Sequence, residues 1–119
     1  MGLFDRIAGQ LGDLMVPDDV RMHVELAVVS LERGDVELAV RELTRAVERA
    51  PEHARAWYLL GVAQERRKDP VAAEAALVRA VELRSDFAEA LLLLAEVRRR
   101  LGHHEEAAEA IRRALGGGA

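Results

Sequence analysis

The side chains best suited to chemistry are gathered in one run, His103-His104-Glu105-Glu106. Imidazole and carboxylate are ligands for zinc and related divalent ions, and a site needs several of them converging on one point. Neighbouring histidines on a turn do not converge without further ligands, so the run makes a poor facial site and no metal is expected. His53 follows Pro51-Glu52 and is expected to be solvated. With no cysteine there is no thiolate zinc site, disulfide framework or sulfur nucleophile. Neither HExxH, GxSxG, a Walker loop nor GxGxxG occurs. No cofactor is implied, no acid–base pair is clustered, and the chain does not read as an enzyme.

What remains is apolar surface and the elements that present it. The chain has 119 residues, enough for one domain, and 50% are hydrophobic while only 3% are aromatic. Ala, Leu, Val, Glu and Arg dominate, which favours packed helices over sheets. The formal charge of −4 gives no reason to expect nucleic acid as a partner. Lys68 is the one lysine among 17 basic residues, an arginine bias that suggests a GC-rich bacterial genome. No apolar run approaches the roughly 18 residues of a membrane span. Asp5, Arg6, Gln10 and Asp13 interrupt the N-terminal apolar residues, so no secretory signal is read there. Arg6 also stands where a myristoylation motif requires Ser or Thr. A cytoplasmic location is the default expectation.

The organising feature is a period of 34 residues. Ala39, Ala73 and Ala107 obey it, as do Ala46, Ala80 and Ala114, then Leu26, Leu60 and Leu94, and Leu43, Leu77 and Ile111. Such a period signals stacked supersecondary units rather than one globular core. Frames at residues 20–53, 54–87 and 88–119 each split into an A helix and a B helix. Breaks are expected at Gly34, Pro51, Asp69-Pro70, Ser85-Asp86 and Gly102, and Gly116 to Gly118 should end the last helix. Asp69 reads as an N-cap with Pro70 in the first turn, and Ser85-Asp86 as a cap for the following helix.

In this frame the chain resembles the tetratricopeptide repeat (TPR) family. The middle repeat carries the family's preferred residues as Trp57, Leu60, Gly61, Ala73, Leu77 and Ala80. The first carries Leu26, Ala27, Ala39, Leu43, Ala46 and Pro51, and the third Leu91, Leu94, Ala95, Ala107, Ile111 and Ala114. Departures are His23 in place of Trp, Ser85 in place of Pro, and Gln64 and Arg98 where the family has Tyr. Gly102 to Ala107 matches the family's inter-helix turn, which gives the His103–Glu106 run a structural explanation. The resemblance implies an all-α, right-handed superhelical solenoid of three repeats over residues 20–119, preceded by an amphipathic segment over residues 1–19.

The resemblance also implies a concave face lined by A helices. Val24, Val28, Tyr58, Val62 and Leu92 are expected on its floor, with Leu59 and Leu93 nearby. Chaperone-binding members clamp a terminal carboxylate with Lys, Arg and Asn. Those places here hold Val24, Val28, Leu59, Glu89 and Leu93, so that clamp is absent. The expected ligand is a protein or peptide segment, helical or extended and apolar. Arg66-Arg67-Lys68 and Arg98-Arg99-Arg100 close two A helices, where cations complement the helix dipole. Arg66, Arg99 and Arg100 are read as a basic rim that could meet an acidic flank on the ligand.

Two surfaces lie outside the repeat pattern. Leu3, Phe4, Ile7, Leu11, Leu14 and Met15 form an apolar stripe at helical spacing, weakened by Gly9 and Gly12. It could cap the first repeat, lie in a groove, or rest on a membrane, although its acidic balance opposes anionic lipid. At the other end Ala107, Ala108, Ile111 and Leu115 would be left uncovered by any later helix. A self-assembling scaffold that uses these two surfaces as homo-oligomer contacts is therefore the alternative to an interaction adaptor, and a membrane-peripheral organiser the weakest reading.

Overall fold

The computed structural model describes residues 3–116; Gly117 and Gly118, expected to end the last helix, lie outside the described residues. Within that range the chain is entirely helical. The helices are α1 (Leu3–Leu14), α2 (Asp18–Glu32), α3 (Val36–Arg49), α4 (Ala54–Arg66), α5 (Pro70–Leu83), α6 (Ala88–Arg100) and α7 (His104–Ala114). Helices α2 to α7 form three antiparallel pairs stacked side by side, and with α1 the extents are 36 × 32 × 19 Å.

Each A helix stops by the same device. Gly34, Lys68 and Gly102 occupy one phase of the period and all have positive φ, at 81°, 67° and 83°. The left-handed residue lets the next backbone N–H reach back five residues, from Asp35 to Ser30, Asp69 to Gln64 and His103 to Arg98, at 2.8–3.0 Å. The carboxylates of Asp35 and Asp69 then accept from the Leu38 and Ala72 N–H groups, capping α3 and α5. Helix α6 departs from expectation: Phe87 holds the N-cap position with no side-chain bond, and Ser85-Asp86 do not cap it. Phe87 instead spends its side chain on packing. It is buried, its ring centroid lies 5.0 Å from that of Tyr58, and the Arg84 guanidinium sits 4.1 Å above it.

Small residues set how closely the helices approach. A Cβ on Gly61 would come within 2.6 Å of Leu77 Cγ, so α4 and α5 close to a distance only glycine permits at that point. Ala39, Ala46, Ala73 and Ala80 are completely buried along the same seams. The larger apolar residues fill two cores, one joining α2 and α3 to α4, the other joining α4 and α5 to α6. The first repeat makes its Trp-to-His departure good internally. Glu42 is buried, and its carboxylate meets His23 Nδ1 at 3.3 Å and Arg45 Nη1 at 3.2 Å. In the middle repeat the corresponding Trp57 packs on the first core and donates from Nε1 to the Pro51 carbonyl at 2.9 Å.

The N-terminal helix packs on α4 and α5 and on no other helix among the described residues. It therefore does not cover the outer side of the first repeat. Gly12 permits the approach, since a Cβ there would overlap the Glu52 carbonyl.

Two predictions follow from this geometry. Replacing Gly61 with Leu should lower stability by about 3 kcal/mol, the upper end for an overpacked core, and a thermal melt reads the loss directly. Replacing Lys68 with Gly should raise stability by about 1 kcal/mol, because an L-residue pays that much for the left-handed conformation; urea unfolding of parent and variant checks the sign.

Candidate interaction surface

The residues expected on the concave floor are not gathered into one cavity. Val24 is buried in the first core and forms the floor of a cavity of about 340 Å³ bordered by Leu14, Val16, Arg21, Arg55 and Arg84. Val28, Tyr58 and Val62 are half-buried, as are Leu59 and Leu93. Val62 rests on the first core and Tyr58 on the second, where the Phe87 contact fixes its ring. Leu92 is exposed and belongs to a different depression, about 330 Å³, between α6 and α7.

The arginines of the basic rim are engaged with their own chain. Arg66 Nη1 donates to the Leu31 carbonyl at 2.9 Å, completing the C-terminus of α2 from the neighbouring repeat. Arg100 pairs with Glu65 across the α4–α6 joint. Arg99 forks onto Glu96 on its own helix, and that hydrogen bond holds the Glu96 carboxyl below its usual range. The third run member, Arg98, reaches Glu74 at 3.1 Å, and His103 Nδ1 approaches the same carboxylate at 3.3 Å. Among the described residues no three metal-ligating side chains converge.

The most highly connected polar group is one the sequence did not single out. Asp13, at the end of α1, accepts from His53 Nδ1 at 2.6 Å, from the Arg55 backbone N–H at 3.2 Å and from Arg84 Nη1 at 3.2 Å. His53 is buried rather than solvated, because the leader folds over it. Helix α4 has no side-chain cap of its own. Asp13 supplies one from outside the repeat, satisfying an otherwise orphaned N–H at a helix end where negative charge is favoured. Burial acts to raise the Asp13 pKa and is the largest single influence. The hydrogen bonds from His53 and Arg55 and the charges of His53 and Arg84 outweigh it, so the carboxyl titrates below its ordinary 3.8. The sequence carried one hint: His53 is a poor N-cap where the B helices have Asp35 and Asp69.

This latch docks α1 through Gly12 and Asp13. Its apolar stripe consequently faces outward: Leu3, Phe4, Ile7, Leu11, Leu14 and Met15 are all exposed. At the opposite end Ile111 and Leu115 are exposed as well. Among the described residues no helix is long and apolar enough to cross a membrane.

A family model for the tetratricopeptide repeat matches residues 24–86 and 69–119. No curated protein matches the chain in sequence. Among solved structures, a crystal structure of MamA superposes with a TM-score of 0.80 at 28% identity, covering 86% of this chain and 60% of that one. A MamA structure from AMB-1 gives 0.76 at 26% identity, covering 89% and 59%. The first TPR of Spaghetti (RPAP3), bound to the HSP90 peptide SRMEEVD, gives 0.80 at 21% identity, covering 84% and 79%. This chain thus spans about three fifths of the MamA chains it resembles.

The latch has a defined pH signature. Because the folded-state pKa of Asp13 lies below the unfolded value, its stabilisation is complete above 3.8 and is lost as pH falls through the lowered folded-state value. Asp13→Asn should cost about 1–3 kcal/mol at neutral pH, the range for a charge-assisted hydrogen bond, and should remove the acid-dependent part of leader release. Hydrogen exchange of the α1 amides between pH 3 and pH 7 measures both.

Proposed function

Since the chain belongs to the tetratricopeptide repeat family, we propose that it is a non-catalytic adaptor whose concave face takes an apolar helical or extended segment of a partner protein. The observation that carries this reading is the chemistry of two phases of the A helices. Val28, Tyr58, Val62 and Leu92 keep part of their surface open to solvent, and Arg99 beside Leu92 is forked onto Glu96. Apolar contact is then the main source of affinity, at roughly 25 cal/mol for each Å² removed from water. Tyr58 is the anchor, an aromatic ring already held in place by Phe87 and so ordered at little entropic cost on binding.

The RPAP3 domain shares the fold and binds a peptide with an acidic C-terminal end. In this chain Val24, Val28, Leu59, Glu89 and Leu93 stand where the chaperone-binding branch places its carboxylate clamp. Glu89 would repel an acidic tail. Specificity accordingly shifts from a terminal carboxylate to side-chain burial. The leader belongs to this reading as a neighbour of the ligand, with Leu14 beside Val24 at the first-repeat end of the surface.

Fluorescence polarisation with two labelled peptides tests the proposal. An amphipathic helical peptide with a Leu/Val face should bind the full chain, and Val62→Asp should weaken it at least tenfold, about 1.4 kcal/mol. The peptide SRMEEVD should bind more weakly than the apolar peptide. Preference for SRMEEVD, or an apolar affinity indifferent to Val62→Asp, overturns the reading.

A further inference from the structure

The two ends of the solenoid are patterned for each other. Met22, Leu26 and Val29 lie on the outer side of α2 and are 61%, 41% and 40% exposed. Advancing by the 34-residue period gives Ala56, Leu60 and Ala63, then Ala90, Leu94 and Val97. Those six residues are all buried, the first three against Leu43 and Val47, the second three against Leu77 and Val81. One further period beyond Leu77 and Val81 come Ile111 and Leu115, which are 43% and 79% exposed. The chain therefore builds the same joint twice, a B-helix face receiving an A-helix face. It then presents one unused copy of each half, apolar in both cases. Beside Ile111, the depression between α6 and α7 offers Leu92, Ala95, Ala107 and Ala108 to an incoming helix.

Charges follow the same arithmetic. In the first joint Arg67 pairs with Glu37 at 3.5 Å. The corresponding residues at the free ends are Arg33 and Glu105, again opposite in sign. In the second joint Arg100 pairs with Glu65. The corresponding residues are Glu32 and Arg99, opposite in sign with the polarity reversed. The second joint also holds Arg98 against Glu74. Its counterpart is Ser30 with Ala108, so this pair leaves no unpaired charge. Glu32, Arg33 and Glu105 are exposed and form no ion pair among the described residues. Nor does the leader obstruct the α2 face, because it packs on α4 and α5.

We infer that the partner for these surfaces is a second copy of this chain, stacked head to tail so that α2 of one copy continues the repeat ladder beyond α7 of another. Such a contact joins unlike surfaces. It leaves one free face of each kind at every stage, and it grows open-ended rather than closing as a dimer. It places the leading contact on the outer face of α2 rather than on the N-terminal amphipathic helix. The inference shares Leu92 with the concave-face reading but stands apart from it otherwise, because none of Val28, Tyr58 and Val62 takes part.

Sedimentation velocity on the full chain, from about 1 μM to 1 mM, tests it. The weight-average mass should climb with concentration and pass that of two copies. Leu26→Asp removes only the leading face and Ile111→Asp only the trailing face. Each should be monomeric alone, and an equimolar mixture should form a one-to-one dimer and stop. Arg33→Glu should weaken assembly at least tenfold, and adding Glu105→Arg should restore it. Because these positions are exposed, circular dichroism melts should match the parent. The charge-swapped pair decides the matter if an apolar variant fails to fold. Val62→Asp should assemble normally, which separates failure of this inference from failure of the groove. A parent that stays monomeric to 1 mM, a parent whose mass levels off at two copies, or single-face variants that do not combine on mixing would each overturn the head-to-tail stack.

Discussion

A two-helix unit of 34 residues carries more apolar surface than its own two helices can cover, and everything else in this structure answers that constraint. Each pair buries one side of itself along an alanine-lined seam and hands the other side to its neighbour. Leu43 and Leu77 are completely inaccessible because the next repeat's Leu60 and Leu94 close over the faces they belong to. Stability in such a stack is additive in nearest-neighbour joints rather than concentrated in one centre. The arginines at the A-helix ends belong to the same scheme. Arg66, Arg100 and Arg98 fasten one repeat to the next through Leu31, Glu65 and Glu74.

The periodic part of this architecture was legible in the sequence, and the reason is physical. Small residues at a seam, a left-handed residue after an A helix and an aspartate before a B helix are each required by local geometry wherever the unit recurs. Repetition turns weak single signals into a strong one. Even Lys68, which has no glycine-like side chain, could be assigned its backbone conformation from Gly34 and Gly102 at the same phase. The period failed where a residue answers to something outside it. His53 looked like a solvated turn residue because its partner, Asp13, belongs to the leader, forty residues away. Ser85-Asp86 looked like a cap because the pull of Phe87 towards Tyr58 is a tertiary effect. Val24 shares a phase with exposed Leu92, yet the chain around it closes and buries it.

The leader shows how polar contacts can override amphipathicity. A helix with this apolar stripe would ordinarily dock stripe-down. Here a glycine that allows backbone contact and an aspartate with three donors fix the opposite face, and the apolar side chains stay in solvent. One carboxylate at a helix N-terminus thus fixes the side on which α1 offers its apolar stripe.

The pairing of His23 with buried Glu42 bears on how such a chain can be rearranged over time. Both partners lie within the first repeat, and the corresponding pairs in the other repeats are Trp57 with Ala76 and Leu91 with Ala110. A duplication that copies the repeat whole carries the pair along intact. A crossover falling between residues 23 and 42 would set an indole or an isobutyl group against a buried carboxylate and leave Arg45 as its one charged partner. The pair thus ties helix A of the first repeat to its own helix B, whereas the second and third repeats carry no such pair at these positions.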